Sequence, residues 1–248
     1  MASWQVTTVS SLDDVAGGRD IEQKFLFAGG KRELLLDWLE FHLLRDPAFY
    51  FSPIASLYYD TPVLSLYREA RDGNYVKTKV RLRWYETVHA ADRRNVTCYL
   101  EVKRKLGILR HKQRKRLELD GADLAGDVFT KSAIIDLPAT LPELKYWVRG
   151  PLVPILIVEY ERYRFVDFES GARVALDSRV ACRRSNPAYL VPSFPVQLSC
   201  GVLEVKGGLE ALPDRLAPMA RHLSRQSFSK YAACARAMLE PLSWEEPA

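Results

Sequence analysis

Between Lys77 and Trp84 the chain reads Lys-Thr-Lys-Val-Arg-Leu-Arg-Trp, with a cation at every odd position and Thr, Val, Leu or Trp at every even one. Successive side chains of a strand point to opposite faces of its sheet. As a strand, this segment carries four cations on one face and a mostly apolar row on the other. Four like charges in a row repel one another unless something anionic lies opposite. The segment is therefore either an edge strand whose solvated Lys and Arg deter aggregation, or one wall of a surface that binds a polyanion.

The alternation recurs. Glu101, Lys103 and Lys105 share one parity, as do Lys112, Arg114, Arg116 and Glu118. Tyr160, Arg162 and Arg164 fall together, Arg173 falls with Asp177, and Glu204 falls with Lys206. Six such strands cannot all be outer edges of one domain. A closed antiparallel barrel with a polar interior accommodates them, because inward and outward residues alternate along every strand.

The 248 residues suffice for one large β domain with a sizeable core. A net charge of +5 points to anionic partners without naming them. Cys98, Cys182, Cys200 and Cys234 show no CxxC or metal-ligand spacing, which favours reduced thiols and a cytoplasmic protein. No leader is evident at Met1–Gln5, and no apolar run is long enough to cross a membrane as a helix.

Along the chain, residues 1–17 read as an irregular lead-in and 20–27 as a strand. Residues 31–45 carry apolar side chains near helical period and predict an amphipathic helix. A strand follows at 54–60, and Thr61-Pro62 reads as the start of a short helix. Asp72-Gly73 is a turn and His89 to Asn95 a polar connection. Residues 121–150 read as an insertion of short helices. Strands resume at 154–168, 172–180 and 202–206, and 213–223 and 227–240 read as closing helices. No interdomain linker appears, so residues 1–248 are expected to form one domain with its core at about 20–238.

Asp20-Ile21-Glu22-Gln23-Lys24 sets two carboxylates and a lysine on one strand face. Hard oxygen ligands of this kind suit Mg²⁺ or Mn²⁺, and the lysine can meet a phosphate. This D-x-E-x-K element resembles the E-x-E-x-K signature of the triphosphate tunnel metalloenzymes. The closer resemblance is to their VTC branch, the polyphosphate-polymerase domain of the vacuolar transporter chaperone complex and its bacterial relatives. It is carried by short motifs in family order over roughly 20–238: Glu22 to Phe25, Leu57 to Pro62, Lys79 to Arg83, Leu100 to Lys103, Lys112 to Arg114, Tyr160 to Arg162, Arg173 to Asp177, Leu203 to Lys206, and Phe228 to Tyr231.

The resemblance implies an α+β fold: an antiparallel barrel of about eight strands enclosing a charged tunnel, with flanking helices. It implies Lys24, Arg81, Arg83, Lys103 and Arg162 as catalytic cations and Glu204 as the metal-binding carboxylate. Lys79, Lys112, Arg114, Tyr160, Arg173, Lys206, Ser229 and Lys230 become substrate-binding residues, with Glu22 and Glu101 as further metal-binding acids. Asp20 departs from the superfamily's Glu. The SPX and transmembrane segments of the fungal complex are not evident, so coupling to membrane translocation would need a membrane-protein partner.

The expected function is Mn²⁺- or Mg²⁺-dependent phosphoryl transfer on a nucleoside triphosphate, tripolyphosphate or polyphosphate. The favoured form is polyphosphate synthesis from ATP. With water as acceptor the same site is a triphosphatase, and the sequence does not separate the two. A non-catalytic polyphosphate-binding module is a further alternative. His42, His89, His111 and His222 lack zinc spacing, and no Walker A loop is present. The basic stretch His111 to Arg116 resembles a nucleic-acid patch, but its cations alternate across a strand and no aromatics are interleaved within it, so a nucleic-acid interface is not expected.

Overall fold

The computed structural model describes residues 22–85, 94–107, 109–148, 150–190, 194–207 and 212–240. Its strands are β1 (Glu22–Ala28), β2 (Leu44–Arg45), β3 (Phe51–Asp60), β4 (Val76–Tyr85), β5 (Val96–Leu106), β6 (Leu109–Leu119), β7 (Val153–Val166), β8 (Arg173–Ser185), β9 (Val196–Gln197), β10 (Cys200–Lys206) and β11 (Ser224–Arg225). Helices are α1 (Arg32–His42), α2 (Ser65–Arg71), α3 (Gly121–Ala125), α4 (Ser132–Ile135) and α5 (Lys230–Leu239).

The strands form one antiparallel sheet in the order β11-β1-β10-β8-β7-β3-β4-β5-β6, with β2 beside β7 and β9 beside β8. The expectation of a closed barrel is corrected here. Among the described residues the hydrogen-bond ladder ends at β6 and β11 and does not join them. The sheet nevertheless curls. Arg110 on β6 donates to Glu22 on β1 at 2.7 Å, although seven strand steps separate these two strands. Laid flat, seven steps would span roughly 34 Å at about 4.8 Å each. Register slips in β3 at Tyr58/Tyr59 and in β7 near Glu159 supply bends of the kind that bulges make.

The apolar face of the basic strand is core. Val80, Leu82 and Trp84 pack with Leu57, Val102 and Leu117 beneath Leu124, Ile134, Leu137, Leu141 and Leu144 of the 121–148 insertion. Strand β4 lies between β3 and β5, so its cations are not edge protection. A second core joins Phe25, Phe27, Val174, Leu176 and Leu203 to Leu35 and Leu39 of α1. In the third, α5 lies on the charged side of the sheet. Its Tyr231, Cys234 and Met238 pack with Ile54, Tyr58, Val158 and Tyr160.

Several boundaries differ from the sequence pattern. Helix α1 stops at His42 because Leu44 and Arg45 extend to pair with Val166 and Phe165. Helix α2 starts at Ser65, not at Thr61-Pro62. The fully buried Asp60 carboxylate accepts the backbone N–H groups of Thr61, Leu66 and Tyr67, and Thr61 Oγ1 accepts that of Ser65. The segment at Asp214–His222 is a 3-10 helix interrupted by Pro218. The expectations for residues 1–17, Asp20 and His89 lie outside the described residues. No helix among the described residues is long and apolar enough to cross a membrane.

Candidate anion-binding site

Register turns the sequence parity into rows across the charged face. On one half, Glu22 stands opposite Lys206 and Lys24 opposite Glu204, and Lys206 in turn stands opposite Arg173. On the other half, Lys79, Lys103 and Lys112 are consecutive cross-strand partners on β4, β5 and β6. The next row is Arg81, Glu101 and Arg114, and the one after it Arg83, Tyr99 and Arg116.

The first half centres on Glu204. Its carboxylate meets Lys24 Nζ at 3.3 Å, Lys230 Nζ at 3.7 Å and Arg162 Nη2 at 2.8 Å. Arg162 also grips the fully buried Asp177 with two hydrogen bonds of 2.5 and 2.6 Å, a bidentate geometry that fixes the guanidinium. Lys230 reaches Asp177 from the first position of α5, and Ser229 caps that helix by accepting from the Ala232 N–H. Burial alone would raise the Glu204 carboxyl, but Arg162, Lys24 and Lys230 hold it well below the usual carboxylate range.

The second half centres on Glu101. Arg81 donates to it through Nε and Nη2 at 2.7 and 2.5 Å, and Lys112 lies 3.0 Å away. Arg81 also donates to the Tyr58 hydroxyl. Arg83 joins the two halves: its Nη2 donates to the Tyr160 hydroxyl at 2.9 Å, and Tyr160 lies beneath Lys230 Nζ at 4.7 Å from the ring centroid. Burial opposes ionisation of Tyr160, yet Arg83 and Arg162 outweigh it and lower the phenol's pKa.

Lys79 and Lys103 differ from these residues. Neither has a carboxylate within ion-pair distance among the described residues, and they stand directly opposite each other. Like charges so placed are destabilising. Burial, then Lys24, Arg81 and Lys230, push Lys79 down to about 7. Burial and Arg81 likewise push Lys103 well below the usual lysine range. An anion placed between them would relieve this repulsion.

The expected site residues on the strands thus share one charged face, Lys230 joins them from α5, and Ser229 caps that helix. Lys24, Arg162, Glu204 and Lys230 meet directly, as do Arg81, Glu101 and Lys112. Arg114 is set apart, its guanidinium 5.2 Å from the Tyr99 ring centroid, and Arg173 and Lys206 stand at one end of the face. Two buried partners belong in the site beyond the expected set: Asp177 and Tyr58. Asp177 shares the parity of Arg173 in the sequence, which was the clue available.

The three expected metal ligands do not form one cage. Glu22 and Glu204 both contact Lys24, whereas Glu101 belongs to the other half. Among the described residues no group of three or more His, Cys, Asp or Glu gathers around a common point. The Glu22–Glu204 pair fits a hard divalent cation in donor chemistry, since Mg²⁺-type ions are commonly held by one or two carboxylates together with substrate phosphates.

Cations outnumber acids on the charged face of this curled antiparallel sheet, an electrostatic balance that favours anionic ligands. A family model described as VTC domain matches residues 22–239, and the chain belongs to that family. No curated protein matches the sequence. Among solved structures, one of a protein provisionally named an adenylate cyclase from Vibrio parahaemolyticus is 13% identical, with 86% of this chain and 98% of that one covered and a TM-score of 0.40. A chain of the Mediator head module of Schizosaccharomyces pombe is 11% identical over 81% of this chain and 89% of its own, with a TM-score of 0.38. Family membership and the basic face together point to phosphate compounds, nucleotide or polyphosphate, as what the chain acts on.

Proposed function

We propose that the chain transfers the γ-phosphoryl group of a nucleoside triphosphate to the terminal phosphate oxygen of a growing polyphosphate chain held along the charged face, with the β–γ anhydride bond broken and the nucleoside diphosphate released. The curled sheet serves as the tunnel. The observation that carries this reading is the row Lys79, Lys103 and Lys112, three lysines on adjacent strands of which two have no carboxylate within ion-pair distance among the described residues. Internal ion pairs leave that row under-neutralised, and a chain of phosphates supplies the missing charge.

Phosphoryl transfer rests on positioning and charge neutralisation more than on covalent help. Arg81, Arg83 and Arg162 are held by Glu101, Tyr160 and Asp177, so their guanidinium groups are oriented before any ligand arrives. Lys24 and Lys230 bring ammonium groups to the same face, Lys230 held there by Asp177. Glu204 and Glu22 would hold Mn²⁺ or Mg²⁺ beside the phosphates. When bound, the ion would neutralise charge on the phosphate oxygens. The residues' own contribution is to bind the triphosphate in one pose and to shield it from water within the curl.

A non-catalytic binder is favoured by one observation: the acids of the face are spent on cations of the face. Incubating the protein with ATP and Mn²⁺ and assaying both free phosphate and polyphosphate separates the readings. Polyphosphate as product supports the transferase, phosphate alone makes the chain a triphosphatase, and neither product with intact ligand binding makes it a binding module.

A further inference from the structure

The two ends of the charged face have different chemistry. One end is the row Lys77, Lys105 and Arg110, with Lys206, Arg173 and Glu22 across the curl. No aromatic residue stands in these strand rows. Tyr75 precedes β4 here, with its ring against Gly107: a Cβ on that glycine would lie 2.5 Å from the ring. The other end is aromatic. Tyr99 stands opposite Arg83, and Tyr85 follows two residues after Arg83 on the same parity. The Tyr85 and Tyr99 rings meet nearly perpendicular, 6.4 Å apart, and Arg114 lies over Tyr99. Tyr85 is 39% exposed. Among the described residues no cation lies over its ring.

We propose that this second end is a nucleobase subsite. It rests on the phosphate reading above and gives the face a direction. A nucleoside triphosphate lies with its base against Tyr85, Tyr99 and Arg114, and its phosphates run past Arg83 and Arg81 toward Lys79 and Lys103. A polyphosphate chain continues toward Lys77, Lys105 and Arg110, where the ligand is all charge and no ring needs a platform. Bases stack on aromatic rings and on guanidinium planes with little regard to sequence, because every base has a π-face. The subsite therefore selects nucleotides over bare tripolyphosphate without selecting strongly among bases. Arg83 and Tyr99 are cross-strand partners, so the step from base platform to first phosphate contact is one strand spacing.

Neither tyrosine belongs to a hydrophobic core of the protein, so alanine should be tolerated at both. Calorimetry of the full chain at low salt, with ATP and with tripolyphosphate, tests the inference. Tyr99→Ala and Tyr85→Ala should each weaken ATP by about 10-fold, within the range that base–aromatic stacking supplies. Tripolyphosphate should stay within about twofold of wild type. Tyr75→Ala should change neither ligand. Equal loss for both ligands, no loss for either, or loss of ATP on Tyr75→Ala in place of the other two would overturn the subsite. Failure of the wild type to bind tripolyphosphate would overturn the phosphate reading itself, and the subsite with it.

Discussion

The Tyr231 hydroxyl donates to the buried carboxylate of Asp60 at 2.7 Å, and the residue just before Tyr231 is Lys230 of the charged cluster. The Tyr231 ring stacks on Tyr58 with centroids 4.8 Å apart, and the Tyr58 hydroxyl accepts from Arg81. One buried contact therefore locks α5 to β3 and sets both Lys230 and Arg81. Asp60 is also the cap for α2, since three backbone N–H groups converge on it.

Asp60→Asn should destabilise the fold. The amide can replace one oxygen, but its NH₂ then faces either the Tyr67 N–H together with the Tyr231 hydroxyl or the Thr61 and Leu66 N–H groups. Leaving such a buried donor unmatched costs about 1–3 kcal/mol, on the order of 2–10 °C in thermal midpoint for a chain of this length. Tyr231→Phe should cost less stability, because it keeps the ring stack. Thermal unfolding of both variants checks the order.

Glu204→Gln nearly preserves shape and removes one negative charge from among Lys24, Arg162 and Lys230. Metal-free tripolyphosphate should bind as well or better. Metal-dependent turnover should fall by a factor on the order of 100 or more, because metal neutralisation of the phosphoryl group supplies several kcal/mol. Stability without ligand should drop, since the buried cations lose a partner. Calorimetry and steady-state assay read the two effects separately. Full metal-dependent turnover in the variant would refute the carboxylate's role.

Arg83→Ala should behave differently. It removes a charge-assisted contact worth about 1.5–3 kcal/mol. Tripolyphosphate should bind about 10- to 100-fold more weakly, with and without metal. An affinity change seen only with metal present would place Arg83 outside the phosphate contacts.

Lys79 makes binding depend on pH. Burial and neighbouring cations hold it at about 7 in the free protein, and a bound polyanion restores its charge. Binding above that pH must take up a proton, so affinity for tripolyphosphate should fall as pH rises from about 7 to 9. Lys79→Met should weaken the dependence, and titrations in buffers of different ionisation heat should report less uptake than in wild type, the remainder coming from Lys103, which burial and Arg81 also hold well below the usual lysine range. Stability of the free protein runs the other way. Between the folded value near 7 and the ordinary lysine value the unfolded chain binds more protons, so this residue's contribution favours the fold increasingly as pH rises.

Much of the site was legible because strand parity is a strict code. Once 77–84 is a strand, Lys79, Arg81 and Arg83 must share a face, and they do. The apolar partners Val80, Leu82 and Trp84 went to the core for the same reason. What parity could not give was closure. Whether β6 pairs with β11 depends on curvature summed over many strands and on bulges such as those near Glu159, which leave no periodic trace. Asp60 was hidden for another reason. It sits at the end of β3, where alternation stops, and its partners are backbone groups and a tyrosine 171 residues away. The early end of α1 followed from a tertiary event, the pairing of Leu44–Arg45 with β7, which overrides a helical pattern that continues locally.

The central claim is that the charged face holds a chain of phosphates. Titrating tripolyphosphate into the metal-free protein at low salt, and again at higher ionic strength, tests it most directly. The account predicts saturable binding that weakens as salt screens the attraction, and that weakens further when Lys79 and Lys103 are both replaced by Met. Absence of binding heat at low salt, or binding indifferent to those two replacements, would contradict it.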